Sequence, residues 1–581
     1  MTTNFNMNTL LMLFPLLLDA CGFASQQTDS SPFEYREIYL PEKDKGGDEP
    51  LSLNSVDRDW GIWGHNLSAV LPANPSPSVF AKMGTGVNRD QFCFSSNALF
   101  DYIVRYVSDN VGRQRTSRVA ILPNDNDIVC LCRRCRELGN REGDASPAVC
   151  DMIGRLAERF PKHIFFTSSY RTTNSLPSRP LPDNAGVLIS AIDFPLSPVH
   201  TGAEDKFVAQ VKQWTGVTKR IYVWDYINNF DDYLTPQPVF ETFQHRLRLY
   251  ARLGVNGIFM NGSGTDFSTF YRLKRHVLAA LLADPDTEWR PLLRKVCREL
   301  YPVAGDDICD FMLKQEDMLK AGAGSLPLYE CVSKAVDVYL PAEEFVLFYN
   351  KIGSPISKIG SLLSQTDSQE KSRLSEMFGA MTFTALELKR LAADTTNCRP
   401  LLAELELFAG QGYRSYSESG ASLDSYISDY RYILQHAQSI GNKNLLKGER
   451  LEPLTALDED YNDIAILTDG LLGLPSCYHC GLMLSSADPA LRIAIPAKKG
   501  LKRLRVSMAR NSIYHIALPQ SVSLSIDGHE LGRVVPKPLP DDLQRAVAEF
   551  DIPSGSQGSM MLTIVRNKEE RTMALDEIEG F

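Results

Sequence analysis

The chain lacks a surplus of basic charge, a long internal apolar run and a biased tract. Its formal net charge is −10 and it has no basic stripe, which argues against a nucleic-acid partner. No internal apolar run approaches the ~20 residues that a membrane-spanning helix needs. The composition, 44% hydrophobic and 23% charged, is that of a globular protein. With 581 residues the chain should hold two or three domains.

The N-terminus contains a short apolar run from Leu10 to Leu18, followed by Asp19, Ala20 and Cys21. The run is too short to span a membrane and resembles a bacterial lipoprotein signal, in which the cysteine is lipidated. A plain secretory signal with an incidental cysteine is the alternative. We expect residues 1–21 to be the signal, with lipidation at Cys21, and residues 22–55 to be a tether and N-terminal segment. The protein would then be exported and lipid-anchored to the cell envelope, at the outer membrane.

Strand and helix patterns alternate from Trp60 to about Pro285. The strand candidates are Trp60–Trp63, Gln91–Phe94, Arg118–Leu122, His163–Thr167, Gly186–Ile192, Arg220–Trp224 and Gly257–Met260. The helix candidates between them are Asn97–Asn110, Ala148–Phe160, Glu204–Trp214, Val239–Leu253 and Phe267–Leu282. Parallel strands need crossover helices, so this alternation indicates βαβ units. We predict an α/β fold with a (β/α)8-type barrel over residues 56–302, and an open parallel sheet is the alternative.

The second half of the chain changes pattern twice. Long helical periodicity predicts a helical module over residues 303–450, with a scaffold role. Short, regularly spaced strands then predict a β-sandwich over residues 451–581. The segments Leu467–Gly470 and Ala574–Glu579 resemble the two ends of galactose-binding-like jelly rolls, which hold a structural calcium or simply pair the terminal strands.

Polar and aromatic residues follow several of the predicted strands. In α/β barrels the active site lies at the C-terminal strand ends, where such residues can converge. An N-cap for the following helix is the alternative role for any single aspartate. Two carboxyl groups beside aromatic faces are typical of glycosidases. The candidate residues are Asn124, Asp125, Tyr170, Asp193, Trp224, Asp225, Tyr226 and Asn261.

His65, in the segment after the first predicted strand, has two interpretations. Its ring can hydrogen-bond a substrate hydroxyl, or it can hold Asp125 or Asp225 in place. We include it among the candidate substrate-binding residues.

A cysteine triplet, C-x-C-x-x-C, is formed by Cys130, Cys132 and Cys135. Structural zinc sites use such short spacings and need a fourth ligand, which Cys150 could supply. A disulfide or packed thiols are equally consistent with the spacing, and oxidising compartments favour disulfides. Catalytic zinc is not expected, because no histidine-rich set accompanies the triplet.

Several of these motifs occur together in the order of a known family. They are Trp60–Asn66, Pro123–Asp125 with the cysteine triplet, Tyr170, Ile192-Asp193, Trp224–Tyr226 and Gly254–Phe259. As a set they resemble the proteins once grouped as domain of unknown function 4838, which include glycoside hydrolase family 163. The resemblance covers about Trp60 to Pro302. It implies a barrel related to those of hexosaminidases and α-glucuronidases.

The resemblance also implies an activity, that of an endo-β-N-acetylglucosaminidase on complex N-glycans. Such an enzyme uses the 2-acetamido oxygen of its substrate as nucleophile, in a retaining hydrolysis. The acid/base role would fall on Asp193 and the orienting role on Asp225 or Asp125, with Tyr226 or Tyr170 assisting.

One departure from the family concerns Asp193, where many members carry glutamate. The shorter side chain would misplace the acid by about 1 Å, which can cost on the order of 10²-fold in rate. A loop shift, another aspartate, or altered or lost activity would each follow from this difference.

The expected partner is therefore a glycan or glycoprotein, with no cofactor beyond the calcium mentioned above and with membrane contact only through the lipid anchor. Two alternatives stay open. One is a glycosidase of the same fold with another sugar specificity, and the other is a non-catalytic glycan-binding lipoprotein.

Overall fold

The computed structural model describes residues 31–41, 53–84, 86–112, 116–359, 368–440, 444–486, 489–553, 558–567 and 572–581. The predicted signal, the lipidation site at Cys21 and most of the tether lie outside these residues. Within the described parts of the chain, no helix combines the length and apolarity needed to cross a membrane.

In the described residues of the N-terminal half there are nine strands. They are β1 Tyr35–Tyr39, β2 Trp60–Ile62, β3 Phe80–Met83, β4 Gly86–Phe92, β5 Arg118–Ala120, β6 Ile164–Ser169, β7 Ala185–Ser190, β8 Ile221–Tyr226 and β9 Gly257–Asn261. Seven of them form one sheet in the order β1-β9-β8-β7-β6-β5-β2, and all neighbouring pairs are parallel. The sheet is strongly curled, as shown by its two edge strands: the ring of Tyr35 on β1 lies 5.9 Å from the ring of Trp60 on β2.

The curled sheet differs from the predicted eight-stranded barrel in two ways. Among the described residues β1 and β2 do not pair, so the sheet is a half-barrel of seven strands. The predicted strand Gln91–Phe94 does not join it, since β4 pairs antiparallel with β3 in a separate hairpin. The seventh parallel strand is β1, which lies in the segment that the sequence indicated as tether. It pairs with β9 along its whole length.

Helices surround the sheet and continue beyond it. They are α1 Val56–Asp59, α2 Asn97–Asn110, α3 Arg133–Leu138, α4 Ser146–Arg159, α5 Gly202–Thr215, α6 Phe240–Arg252, α7 Tyr271–Ala283, α8 Trp289–Leu300, α9 Gly305–Ala321, α10 Val332–Val338, α11 Ala342–Ile359, α12 Ser368–Leu391, α13 Cys398–Gly410 and α14 Leu423–Ile440. Short 3-10 turns cover Leu67–Val70, Pro77–Val79, Arg171–Thr173 and Ile464–Thr468.

Strand β8 shows how the sheet is packed. Successive side chains of a strand point to opposite faces. Tyr222 and Trp224 accordingly pack in the interior cluster of the curled sheet, whereas Ile221 and Val223 pack in the cluster between the sheet and its helices. The neighbouring strand β9 needs a glycine at position 257, because a Cβ there would lie 2.6 Å from the Tyr222 ring.

The C-terminal region is antiparallel. Its strands are β10 Glu452–Pro453, β11 Met483–Ser485, β12 Ala490–Ile495, β13 Arg503–Ala509, β14 Ser521–Ile526, β15 His529–Val534, β16 Arg545–Asp551, β17 Met560–Val565 and β18 Met573–Gly580. They form a five-stranded sheet, β10-β12-β17-β14-β15, and a four-stranded sheet, β11-β18-β13-β16. Both sheets contribute to one apolar core, including Ile493, Leu524, Val506 and Leu575.

The loop after β8 connects all three regions. Its Phe230 N–H donates to the Leu328 carbonyl, and its Phe230 carbonyl accepts from the Glu418 N–H, both in the helical region. The buried Asp231 carboxylate accepts hydrogen bonds from the hydroxyls of Tyr461, at 2.5 Å, and Tyr478 in the C-terminal region. This loop therefore fixes the helical and C-terminal regions against the C-terminal edge of the parallel sheet.

Candidate functional site

A cavity of about 180 Å³ lies at the C-terminal ends of the parallel strands. Its wall combines aromatic rings, hydroxyls and two carboxylates, a mixture suited to a polyhydroxylated ligand. It is lined by His65, Leu122, Asp125, Ser168, Tyr170, Leu188, Ser190, Ile192, Trp224, Tyr226, Asn261, Tyr329 and Glu418. The structure thus brings together the predicted residues His65, Asp125, Tyr170, Trp224, Tyr226 and Asn261.

The aromatic floor of the cavity is held by packing within the half-barrel. The Trp224 ring stacks on Trp63 at 4.8 Å and meets Phe259 edge-on at 5.0 Å. Two residues further along β8, the Tyr226 hydroxyl lies 3.3 Å from the Ser190 hydroxyl. Burial raises the pKa of Tyr226 well above its usual range, so this phenol stays protonated. The floor is therefore formed by packed, uncharged rings.

Asp125 enters the cavity from the loop after β5, as expected. Its carboxylate forms an ion pair with Arg171, with an Nη1 to Oδ1 distance of 2.7 Å. Arg171 also binds Asp127, and its backbone has a left-handed φ of 45°, uncommon for a residue with a side chain. Burial and the nearby Asp125 charge raise the pKa of Tyr170, which precedes this arginine. Arg171 therefore fixes the orientation of Asp125 at the rim.

A glutamate that the sequence did not indicate completes the wall. Glu418 belongs to the loop between α13 and α14, and its carboxylate accepts a hydrogen bond of 3.2 Å from the Tyr329 hydroxyl. Desolvation raises the pKa of Glu418, and the charges of Asp231 and Asp125 add to this rise. The helical module, for which the sequence predicts a scaffold role, thus contributes Tyr329 and Glu418 to the wall of the cavity.

His65 is oriented by the backbone. Its Nδ1 lies 2.6 Å from the Pro123 carbonyl oxygen, which can only accept. Nδ1 therefore donates in this hydrogen bond, which leaves Nε2 as the ring nitrogen that can contact a ligand. The ring lines the cavity, in agreement with a substrate contact, and it binds neither Asp125 nor Asp225 in the way that the second interpretation required.

Asn124 does not line the cavity. Its side-chain amide donates to the Asp90 carbonyl at 2.8 Å, and its backbone N–H donates to Gln91 Oε1 at 3.0 Å. These contacts join the loop after β5 to the β3–β4 hairpin. The predicted substrate-binding residue Asn124 therefore connects two backbone segments in this structure.

Asp225 is also placed away from the cavity. It alternates with Trp224 and Tyr226 along β8, so its side chain points toward the helices. Its carboxylate is fully buried and accepts from Arg246 Nη1 at 2.5 Å, from the Tyr250 hydroxyl at 2.6 Å and from the Tyr226 N–H at 2.9 Å. With both oxygens occupied and no path to the cavity, Asp225 stabilises the fold, and we do not retain it as a catalytic candidate.

Asp193 is exposed and lines a second cavity of about 380 Å³. Tyr170 and Ser190 line both cavities, so the two are neighbours. The second cavity also contains Lys206 and Gln210 from α5. Asp193 is thus one wall of an adjoining space, separate from the carboxylates of Asp125 and Glu418.

The cysteine triplet belongs to a cluster of four thiols, and its fourth member is Cys93. The prediction that Cys150 completes the set is wrong. Cys150 lies buried on α4 and outside the cluster, whereas Cys93 follows directly after β4 and reaches Cys132 and Cys135. Only the pairing of the β3–β4 hairpin brings Cys93 there.

The two ends of the C-terminal region meet, as one of the two interpretations expected. The Gly470 N–H donates to the buried Glu577 carboxylate at 3.1 Å. Desolvation, with the Asp469 charge, raises the pKa of Glu577 to about 10. In the part of the chain that the structure describes, the convergent sets of three or more His, Cys, Asp or Glu are the thiol cluster and Cys477, His479 and Cys480. Calcium at this end of the sandwich stays a prediction.

Comparison with known proteins identifies the N-terminal half. Residues 26–312 match the family model described as "Domain of unknown function (DUF4838)", which confirms the resemblance to this domain family. Membership of glycoside hydrolase family 163 stays a prediction. No curated protein matches the chain.

Solved structures similar to this chain are distant. The family GH115 4-O-methyl-α-glucuronidase BtGH115A, described as specific for decorated arabinogalactans, is 13% identical with a TM-score of 0.33. That match covers 83% of this chain, which spans 66% of the length of that enzyme. A fucose-binding module from Streptococcus pneumoniae, SpX-3, is 14% identical over 24% of this chain and 98% of its own, with a TM-score of 0.19. At these scores neither likeness assigns an activity.

Proposed function

We propose that the cavity at the strand ends binds a sugar and that the protein is an exported glycoside hydrolase. The observation that carries this proposal is the convergence of two carboxylates, Asp125 and Glu418, with the rings of Tyr170, Trp224 and Tyr226 on one space. Aromatic faces suit the C–H surface of a pyranose, and acid-catalysed cleavage of a glycosidic bond needs a proton donor beside a second stabilising group.

Glu418 is our candidate for the general acid. A carboxyl group must be protonated to donate, and desolvation raises the pKa of Glu418 in this direction. The side chain remains reachable from solvent at the rim, so it can be reprotonated between turnovers. Glu418 thus supplies the longer acidic side chain whose absence at Asp193 was noted in the sequence.

Asp125 is our candidate for the group that orients the substrate. Arg171 forms an ion pair with this carboxylate and fixes its position, so that it can accept a hydrogen bond from a substrate N–H. An acetamido group held in this way would present its own oxygen to the anomeric carbon, which is substrate-assisted retaining hydrolysis. Together with the family resemblance, this supports the finer proposal of an endo-β-N-acetylglucosaminidase on complex N-glycans.

The size of the cavity supports binding of a single sugar ring at the reacting position. Its volume of about 180 Å³ is below the roughly 300–1,000 Å³ of sites for drug-sized ligands. The adjoining cavity with Asp193 would take a neighbouring sugar residue. Asp193 would then contribute to substrate binding. Because Glu418 would be the general acid, the shorter side chain of Asp193, where many family members carry glutamate, would not prevent catalysis.

The test is mass spectrometry of a complex N-glycoprotein incubated with the purified chain. Wild type should release glycan, and Glu418→Gln and Asp125→Asn should each release it at least about 100-fold more slowly. Asp193→Asn should raise KM by a larger factor than it lowers kcat. Asp127→Asn is the matched control, because Asp127 also pairs with Arg171 but does not line the cavity. Full activity of Glu418→Gln with loss in Asp193→Asn would move the acid function to Asp193.

A non-catalytic glycan-binding protein is the second candidate. The ion pair with Arg171 favours it, since an Asp125 carboxylate held by an arginine is well suited to bind sugar hydroxyls without reacting. This candidate predicts that wild type binds the glycan in calorimetry, that Trp224→Ala abolishes binding, and that no glycan is released. A glycosidase with another specificity would instead cleave other linkages in a panel of oligosaccharides.

The lipid anchor is a separate part of the proposal. The sequence of residues 10–21 supports export with lipidation at Cys21. Intact-mass analysis of the mature protein should find an acylated Cys21 as the first residue, and Cys21→Ser should release the protein from the membrane fraction. Cleavage elsewhere, with a free Cys21, would favour the plain secretory signal.

A further inference from the structure

The cluster of Cys93, Cys130, Cys132 and Cys135 has no part in the proposed reaction. What distinguishes it is the close approach of its four sulfur atoms. The four sulfur atoms all lie within 4.8 Å of one another. Cys93 Sγ is 3.7 Å from Cys132 Sγ and 3.8 Å from Cys135 Sγ. None of the four is joined in a disulfide in the structure.

These distances match a tetrahedral tetrathiolate site. Zinc binds thiolates at about 2.3 Å, and the edge of a tetrahedron with that radius is about 3.8 Å. A disulfide would instead bring two sulfur atoms to about 2.05 Å. The separation from Cys93 to two different partners is therefore that of ligands around a common centre.

The backbone around the cluster is arranged as in a metal-binding turn. The Cys135 N–H points at Cys132 Sγ at 3.5 Å, and the Lys82 N–H points at Cys130 Sγ at 3.2 Å. Such N–H groups stabilise the negative charge of coordinated thiolates. Cys93, Cys130 and Cys135 are buried, with Cys132 at the edge, so the site is closed to solvent on most sides.

We propose that these four cysteines bind one structural zinc ion. Four protein ligands leave no open position, so the ion would have no direct catalytic role. The site would join two segments that are distant in sequence. One is the end of the β3–β4 hairpin, through Cys93, and the other is the loop after β5 with the start of α3, through Cys130, Cys132 and Cys135. That loop also carries Asp125 and the carbonyl of Pro123 that orients His65.

Two other states of the thiols are the competing outcomes. Pairwise oxidation would give two disulfides, which an exported protein could form. Packed free thiols would be held by Ser95, whose Oγ lies 3.1 Å from Cys135 Sγ. The three states differ in metal content and in the number of titratable thiols, so one set of measurements separates them.

The experiment uses the full-length chain purified without chelators. Elemental analysis should find about one zinc per chain, because four thiolates complete one tetrahedral site. Addition of a thiol-binding mercurial should release that zinc, as followed with a colorimetric metal indicator. Cobalt in place of zinc should give the absorption bands of a tetrahedral thiolate complex. This part needs no variant and stands even if a variant misfolds.

Cys132→Ser is the variant of choice, because Cys132 is the least buried of the four ligands. It should retain less than a tenth of the zinc after dialysis, while the matched control Cys150→Ser, a buried thiol outside the cluster, should retain all of it. A metal-free native chain whose four thiols titrate in denaturant would overturn the proposal in favour of packed thiols. A metal-free chain whose thiols titrate only after reduction would overturn it in favour of disulfides.

Discussion

The mouth of the half-barrel, where the cavity lies, and the layer between the sheet and its helices each contain an aspartate paired with an arginine. At the mouth, the side chains of Asp125 and Arg171 are 52% and 39% exposed. Between sheet and helices, the side chains of Asp225 and Arg246 are both 0% exposed. The residue types are alike, but Asp125 lies in the loop after β5 and Asp225 within β8, and the surroundings of the two pairs are opposite.

The difference between the two pairs is one of solvent. Water around Asp125 and Arg171 screens their attraction, so this pair adds little to stability and its carboxylate remains available to a ligand. Asp225 and Arg246 have lost their water, so each depends on the other for its charge to be tolerated. An aspartate at or beyond a strand end therefore belongs to function or to stability according to whether its side chain reaches the cavity or the layer of helices.

The largest effect is expected for Asp225→Ala. Removing this carboxylate leaves the Arg246 charge buried without its partner, which should lower the free energy of unfolding by about 3–5 kcal/mol. Urea unfolding followed by circular dichroism measures the change. A loss of less than about 1 kcal/mol, typical of an exposed pair, would show that water reaches this pair and would remove the contrast with the mouth.

A double variant sharpens the same point. Asp225→Leu combined with Arg246→Met removes both charges, so no unpaired ion remains, and it should be more stable than Asp225→Ala by about 1–3 kcal/mol. Some loss relative to wild type should remain, because the Phe194 carbonyl and the Tyr250 hydroxyl lose their contacts with Arg246. Equal instability of the two variants in urea would mean that packing, and not charge, dominates at this position.

Asp125→Asn should leave the free energy of unfolding within about 1 kcal/mol of wild type, as expected for an exposed ion pair. The same variant should lose glycan release or glycan binding. Unfolding and activity measured on one preparation check both halves of this prediction. If the variant loses stability and function together, Asp125 has a structural role like that of Asp225, and the contrast between the two pairs is wrong.

The smallest effect concerns the pH profile. The hydrogen bond from Tyr329 lowers the pKa of Glu418, so Tyr329→Phe should raise it further above the usual glutamate range. A general acid loses activity as pH rises through its pKa, so the alkaline limb of kcat/KM should move to higher pH. Tyr102→Phe, which removes a hydroxyl bonded to the Ser76 N–H away from the cavity, should leave the limb in place. A limb that moves to lower pH would exclude Glu418 as the acid.

Much of the fold was predictable because periodicity is local. Helix α2 has the predicted bounds, and most other predicted elements of the N-terminal half differ by a few residues. Strand β1 was not predicted from the sequence, because Tyr35–Tyr39 is short and carries Arg36 and Glu37, which are unusual in a core strand. Strand β4 covers the start of the predicted Gln91–Phe94 segment, but its pairing with β3 depends on contacts between the two strands that no periodicity encodes.

The site was predictable where neighbouring residues share a strand end. Trp224 and Tyr226 point into the cavity together because they are two residues apart, and the same alternation placed Asp225 on the opposite face. That alternation is visible in the sequence and could have excluded Asp225 as a catalytic residue. Tyr329 and Glu418 carry no comparable local pattern, because they reach the cavity from loops of the helical region.

The sequence alone determined the alternation of strands and helices, the family of residues 26–312 and the strand ends that carry aromatic and acidic residues. These depend on short-range periodicity and on motifs of a few adjacent residues. The tertiary structure alone decided that Glu418 joins Asp125, that Cys93 and not Cys150 completes the thiol cluster, and that β1 closes against β9. Each of these depends on long-range packing, in which burial and backbone pairing bring together residues that are distant in sequence.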